Sequence, residues 1–160
     1  MEDEKYQVDD VDLKILNELF KDARASFVDI AKKLFVSNAT VHQRVNKMKL
    51  HGVLKGFQPV LDESKLGFTV SCIIGVYLKN AKDCPIVLEK LEKLSEITEV
   101  YYTTGSYALM LKVVTRDIQS FQKFLMAKLQ HFGEIQSTES YICLSQPIKR
   151  SVTISKTAIN

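Results

Sequence analysis

Apolar positions recur at helical spacing over the first third of the chain and in short β-like runs over most of the rest. Leu13, Leu16, Leu19 and Phe20 fall on one helical stripe. Asp9 precedes them as an N-cap, with Asp12 at the third helical position, and Val8 and Leu13 sit where a hydrophobic staple would close across that turn. A second start signal, Ser26 followed by Asp29, opens a helix of about two turns whose apolar face is Phe27, Ile30, Ala31 and Leu34. The third helix runs from Asn38 to about Leu50, with Ser37 as N-cap and Gly52 as its stop. Short helix, tight turn and longer helix make a helix-turn-helix pattern, with the first helix packed across both.

The period then changes. Val53–Leu61 reads as a strand-like connector containing Gly56 and Pro59, and a boundary falls near residues 62–67. The expected domains are therefore 1–62 and 63–160. Beyond the boundary, β-rich runs occupy 68–78, 97–104, 107–115 and 135–145, with Gly105-Ser106 as the turn between the middle two. Helical patterns fill 84–95, with Val87, Leu88, Leu91 and Leu94 on one face, and 117–132, with Ile118, Phe121, Phe124, Leu125 and Phe132 facing inwards. The order βαββαβ predicts a ferredoxin-like sheet of four strands backed by two helices, so the fold class is α+β with a winged-helix-like first domain. Such a sheet exposes one face. Ile73, Val100, Leu109, Leu111 and Ile142 are candidates for one face or the other, and dimerisation would cover the open one.

Composition narrows the function classes. The chain has 160 residues, 46% hydrophobic and 26% charged, which suits a globular protein. No apolar run approaches the ~18 residues of a membrane span, and the acidic start Glu2, Asp3, Glu4 is unlike a signal peptide. Cys72, Cys84 and Cys143 lack C-x-x-C spacing and fit free thiols in a reducing cytoplasm. No Ser-His-Asp set, P-loop or metal-ligand spacing is present, so no catalytic residue, metal site or cofactor is expected.

The net charge of +3 hides an uneven distribution. Residues 1–20 hold two Lys against seven acids, a net of −5. Residues 21–56 hold eight Lys/Arg against Asp22 and Asp29, a net of +6. On a helical wheel the third helix places Val41, Val45 and Met48 together. Ala39, Gln43, Asn46 and Lys47 lie opposite, with Thr40 and His42 on the flanks. There is no carboxylate between Asn38 and Leu50. Gln and Asn pair bidentately with adenine and Lys with guanine, while hydroxyls and Lys hold phosphates. Ser37 and Asn38 present free N–H groups at the helix start. Arg44 falls at the margin of the buried face, better placed for the DNA backbone or a structural ion pair than for bases. Double-stranded DNA is therefore the expected partner. A solvated basic face, or a helix-turn-helix serving protein contacts, would leave the same pattern.

The joint pattern resembles the Lrp/AsnC family of bacterial and archaeal regulators. It is carried by Asp9 through Arg24-Ala-Ser, Asp29-Ile-Ala-Lys, Val36-Ser-Asn-Ala-Thr-Val, Arg44-Val and Gly52-Val-Leu-Lys-Gly, and it covers roughly residues 8–148. IIGVYLKNAKD at 73–83, EVYYTTGSY at 99–107 and EIQSTES at 134–140 look closest to the family's asparagine-responsive AsnC branch. The resemblance implies a DNA-binding transcription regulator whose sensing domains pair into dimers. These often assemble into octamers, with a small amino acid bound between dimers. It makes 38–50 the recognition helix and Tyr102, Thr103, Thr104, Gly105, Ser106 and Tyr107 the effector loop. Gln136, Ser137, Thr138 and Glu139 would supply polar contacts from a neighbouring dimer. Glycine at 105 suits a ligand backbone approaching a tight turn.

Two departures from the family pattern stand out: Ser106 and Ala108 replace acidic residues that many relatives carry, and Phe35 occupies a turn position that often holds Gly. Two other functions remain open. One is a nucleoid-organising regulator with little effector response. The other is an amino-acid-binding oligomeric module that uses its N-terminal helices only for protein contacts.

Overall fold

A computed structural model describes residues 6–152 of the chain. They form two compact units, 6–60 with 150–152 and 61–149. Glu2, Asp3, Glu4 and residues 153–160 lie outside the described residues.

The helical unit contains α1 (Asp10–Lys21), α2 (Phe27–Leu34) and α3 (Asn38–Leu50). Each begins where a side chain can satisfy the first free backbone N–H groups. Asp9 accepts from the backbone of Val11 and Asp12, and Asp12 returns the bond to the Asp9 N–H at 3.1 Å. Ser26 accepts from the Asp29 N–H and Ser37 from that of Thr40. The core joins Ile15, Leu16 and Leu19 to Ile30 and Ala31 and to Val41, Val45 and Met48. Phe20, expected in the stripe, is exposed, and Ile15 is fully buried instead. At about 100° per residue Phe20 falls roughly 80° from Asp12, whereas Ile15, Leu16 and Leu19 flank that fully buried residue. Connector residues 53–61 form no strand ladder.

Phe35 ends α2 in the left-handed region, at φ 56° and ψ 41°, and its neighbour Val36 donates to the Ala31 carbonyl at 3.1 Å. It is the sole non-glycine residue with positive φ among the described residues. A side chain there costs about 1–2 kcal/mol relative to the right-handed conformation.

The second unit contains β1 (Val70–Leu78), α4 (Cys84–Glu92), β2 (Ile97–Tyr102), β3 (Leu109–Thr115), α5 (Ile118–Ala127) and β4 (Ile135–Ile142). The sheet order is β2-β3-β1-β4, and all three pairings are antiparallel. The mixed α and β architecture expected from the sequence is thus present. Ile74 pairs with Leu111 on one side and Ser140 on the other, which sets the faces. Cys72, Ile74, Val76, Leu109, Leu111 and Val113 point at Val87 and Leu91 of α4, at Phe121 and Phe124 of α5, and at Leu129. Val100 pairs with Leu111 and Ile142 with Cys72, so both share this face, half-exposed on the outer strands. Ile73 lies on the opposite face with its partners Lys112 and Tyr141.

Several boundaries differ from expectation. β4 ends at Ile142 rather than near 145: the Cys143 N–H still donates to Ser71, and Leu144 is then exposed. The expected helix 117–132 is α5 followed by a 3₁₀ turn at Leu129–His131. Ile118 is exposed because it falls about 90° from the Phe121–Phe124 midline. Leu88 is likewise more than one-third exposed.

Candidate functional site

On α3, Val41, Val45 and Met48 are completely buried, which turns the opposite face to solvent. Asn38, His42, Gln43, Asn46 and Lys47 are exposed and Thr40 is half-buried. The side chains of Asn38, Gln43, Asn46 and Lys47 have no hydrogen-bond or ion-pair partner among the described residues, so their donors and acceptors face outward unused. Ser37 is engaged in capping, its hydroxyl lying 2.8 Å from that of Thr40. His42 packs edge-on against Phe27, ring centroids 4.7 Å apart, and so braces α2 against α3.

Arg44 is placed differently from the rest of the expected reading set. Its guanidinium pairs with Asp9 and lies 3.6 Å from Asp12, on the side of α3 that faces α1. Asp12 is fully buried and accepts from the Tyr6 hydroxyl at 2.7 Å. Burial pushes the Asp9 carboxyl up, but the Asp12 N–H and the Arg44 guanidinium outweigh it and hold the group below its ordinary range. Tyr6 is pushed up to about 12 by burial and by the Asp12 carboxylate. Tyr6 also stacks on His51, the C-cap of α3, at 5.0 Å. This network was not legible from spacing alone, because Asp9 and Arg44 are 35 positions apart.

The connection between β2 and β3 is longer than the two-residue Gly105-Ser106 turn expected. Residues 103–108 separate β2 from β3. The Thr103 N–H donates to the Ala108 carbonyl at 3.0 Å, its hydroxyl donates to the Tyr107 carbonyl, and the Ala108 N–H donates to Val76 at 2.9 Å. Gly105 does not adopt positive φ, and a Cβ there would meet nothing within 4 Å. The turn itself therefore does not require glycine; the space beside it is open. Tyr102, Thr103, Thr104, Gly105 and Ser106 line a cleft of about 230 Å³ with Tyr77 and Ala81. Gln136, Ser137 and Thr138 line another, of about 320 Å³, with Gln130 and Ile135. Within one chain these two segments do not share a cleft.

Tyr107 and Glu139 do meet. The Tyr107 ring crosses β1 above Gly75 and its hydroxyl donates to Glu139 at 2.6 Å. Tyr141, which sequence reading missed, donates to the same carboxylate oxygen at 2.7 Å. The two hydroxyls hold the Glu139 carboxyl below its usual range, and the bonds to Glu139 first and Tyr141 second raise the Tyr107 phenol well above its own. A glycine inside a β-branched strand is the signal that would have found this contact.

Cys72 and Cys84 are buried free thiols, and burial pushes Cys72 up to about 11. No described helix is long and apolar enough to cross a membrane, and no described group of three or more His, Cys, Asp or Glu side chains is arranged to hold a metal ion.

A helix-turn-helix unit with an acid-free exposed face, joined to a βαββαβ unit with an open sheet face, defines a two-domain regulator of the DNA-binding and ligand-sensing class. Residues 71–153 match the Lrp/AsnC ligand binding domain, and residues 8–49 match the AsnC-type helix-turn-helix domain. The chain is 46% identical to the regulatory protein AsnC of Haemophilus influenzae over 147 residues, 92% of this chain and 98% of that protein. It is 45% identical to AsnC of Escherichia coli K12 over 149 residues, covering 93% and 98%. The solved E. coli AsnC structure superposes with a TM-score of 0.87 over 92% of this chain and 99% of that one, at 45% identity. A Neisseria meningitidis transcriptional regulator solved as an L-Met complex shares the fold, with a TM-score of 0.85 at 20% identity, covering 96% and 100%. The chain belongs to the Lrp/AsnC family of transcription regulators.

Proposed function

We propose that the protein is a cytoplasmic, sequence-specific DNA-binding regulator that responds to a small neutral amino acid, with asparagine the first candidate, and that it has no enzymatic role. The observation that carries this reading is the unengaged face of α3, where Gln43, Asn46 and Lys47 are exposed with Asn38 and no carboxylate intervenes. Gln43 and Asn46 read base edges, while Lys47, Thr40, His42 and the N–H groups at Ser37 and Asn38 hold phosphates. Arg44 acts through the α1–α3 network rather than on bases. Residues 102–106 and 136–138 line separate clefts in one chain, while Tyr107 and Glu139 at their ends are hydrogen-bonded to each other. That separation supports a site completed between copies, with dimers assembling into a higher oligomer such as an octamer. An amino acid shifts such an assembly only through its differential affinity for the alternative states.

One observation favours a nucleoid-organising regulator with little effector response. The loop offers no carboxylate at Ser106 or Ala108 for an ammonium group, and Glu139 is already engaged by two tyrosines.

Gel retardation on the DNA upstream of the protein's own coding sequence, with calorimetric titration of the twenty amino acids, tests both readings. Retardation that weakens steeply with salt and a saturable heat for a small neutral amino acid are expected. No retardation at low salt overturns the DNA-binding reading. Retardation without a saturable heat from any amino acid favours the nucleoid organiser.

A further inference from the structure

Phe35 combines two local disadvantages at one residue. Its backbone is in the left-handed region, which glycine adopts freely and a residue with a Cβ does not. The residue is 96% exposed, more than any other described Phe or Tyr, Tyr102 following at 70%. Nothing inside the helical unit accounts for the choice. Glycine would close the same α2 cap with less strain, and the ring adds nothing to the core of Ile15, Ile30, Val41, Val45 and Met48. A ring held in this way makes physical sense in a complex that buries it.

Position selects the partner. Phe35 precedes Ser37, the α3 N-cap, by two residues, so their Cα atoms are at most about 7 Å apart. The N-terminal end of a recognition helix is the end that contacts base edges in the major groove. Around Phe35 the chain presents Lys32 and Asn38, both exposed, and no carboxylate occurs from Lys32 to Leu50. A polyanion is the partner this charge pattern fits.

We propose that Phe35 is a DNA-contacting residue whose ring packs on apolar carbon at the edge of the groove, either deoxyribose or a thymine 5-methyl group. The proposal rests on the DNA-binding reading above and adds an apolar contact to its polar face. Phenylalanine against a thymine methyl is a recognised mode of direct readout.

Phe35→Gly and Phe35→Ala in the full chain test it, with thermal denaturation measured beside fluorescence-anisotropy titration of the retarded fragment over a salt series. Phe35→Gly removes both ring and strain, so its Tm is expected to stay level or rise while its affinity falls by about tenfold, the scale of one good base contact. Phe35→Ala removes the ring only and is expected to lose the same affinity without gaining stability. The salt slope is expected to be unchanged, because a phenyl ring neutralises no phosphate. A fragment with uracil in place of thymine separates the two sources of carbon. If it weakens wild type but not Phe35→Gly, the thymine methyl is the contact; equal effects on both assign the deoxyribose. Wild-type affinity in Phe35→Gly overturns the proposal while leaving the DNA-binding reading intact. So does a lowered Tm that accompanies the lost affinity, or an altered sedimentation coefficient with DNA affinity unchanged, which would mark a protein contact. Absence of DNA binding by the wild type overturns both readings.

Discussion

The ring of Tyr107 lies directly over Gly75, so close that a Cβ built on the glycine would come within 2.7 Å of the ring's Cγ. The missing side chain in β1 is what allows the last residues of the 103–108 loop to fold back across the strand and reach Glu139 on β4. Packing at one strand position thus ties together two segments that the sequence separates by more than thirty residues.

Gly75→Ala should push the Tyr107 ring off the sheet and break its bond to Glu139. The substitution is expected to cost about 1–3 kcal/mol, the usual penalty of overpacking, read by urea or thermal denaturation. Tyr107→Phe keeps the ring in place and should escape that packing penalty while losing the bonds to Glu139 and Tyr141. If Gly75→Ala proves as stable as wild type, the close approach does not constrain the loop.

Arg44→Met should loosen α1 from α3, because it leaves Asp12 buried without its cation. A loss of about 3 kcal/mol is expected, at the low end for removing one partner of a buried pair, since Arg44 is itself partly exposed. Arg44 also pairs with Asp9, and that contact predicts a pH dependence. The Asp9 carboxyl titrates below its unfolded value of 3.8, so its contribution is complete above that value and is lost as pH falls through the folded-state value. Acid unfolding followed by circular dichroism should show this loss in wild type and a flatter profile in Arg44→Met.

Lys47→Ala should weaken binding to all DNA sequences and lower the salt slope by about one. Gln43→Ala should instead relax preference at one base position, by about 1–3 kcal/mol of discrimination. Anisotropy titrations on specific and scrambled fragments separate the two effects. Retardation unchanged in both variants would move the DNA-binding surface away from α3.

Gly105→Ala should leave folding almost untouched, within about 0.5 kcal/mol, because the position is exposed and lacks positive φ. Calorimetry of the same variant should nevertheless show effector affinity reduced by about tenfold, as one added methyl group crowds the ligand. Unaltered affinity would remove Gly105 from the effector site.

Much of this protein can be read from the sequence alone because the relevant forces act over three or four residues. Asp9, Ser26 and Ser37 begin α1, α2 and α3 because each can satisfy an orphan N–H within one turn. The βαββαβ order follows from strand-like and helical runs that each bury one face. The acid-free face of α3 is equally local, since Val41, Val45 and Met48 fix which side turns inward. Tertiary structure alone decided the partners of long side chains. Arg44 lies at the wheel's margin, open to DNA backbone or ion pair, until the fold brings Asp9 and the buried Asp12 beside it. Tyr107 is only one more member of the expected effector loop until antiparallel pairing lays Gly75 beneath it and Glu139 within reach. Periodicity and capping are properties of neighbouring residues, whereas such contacts depend on how distant segments pack, and local spacing carries no record of that.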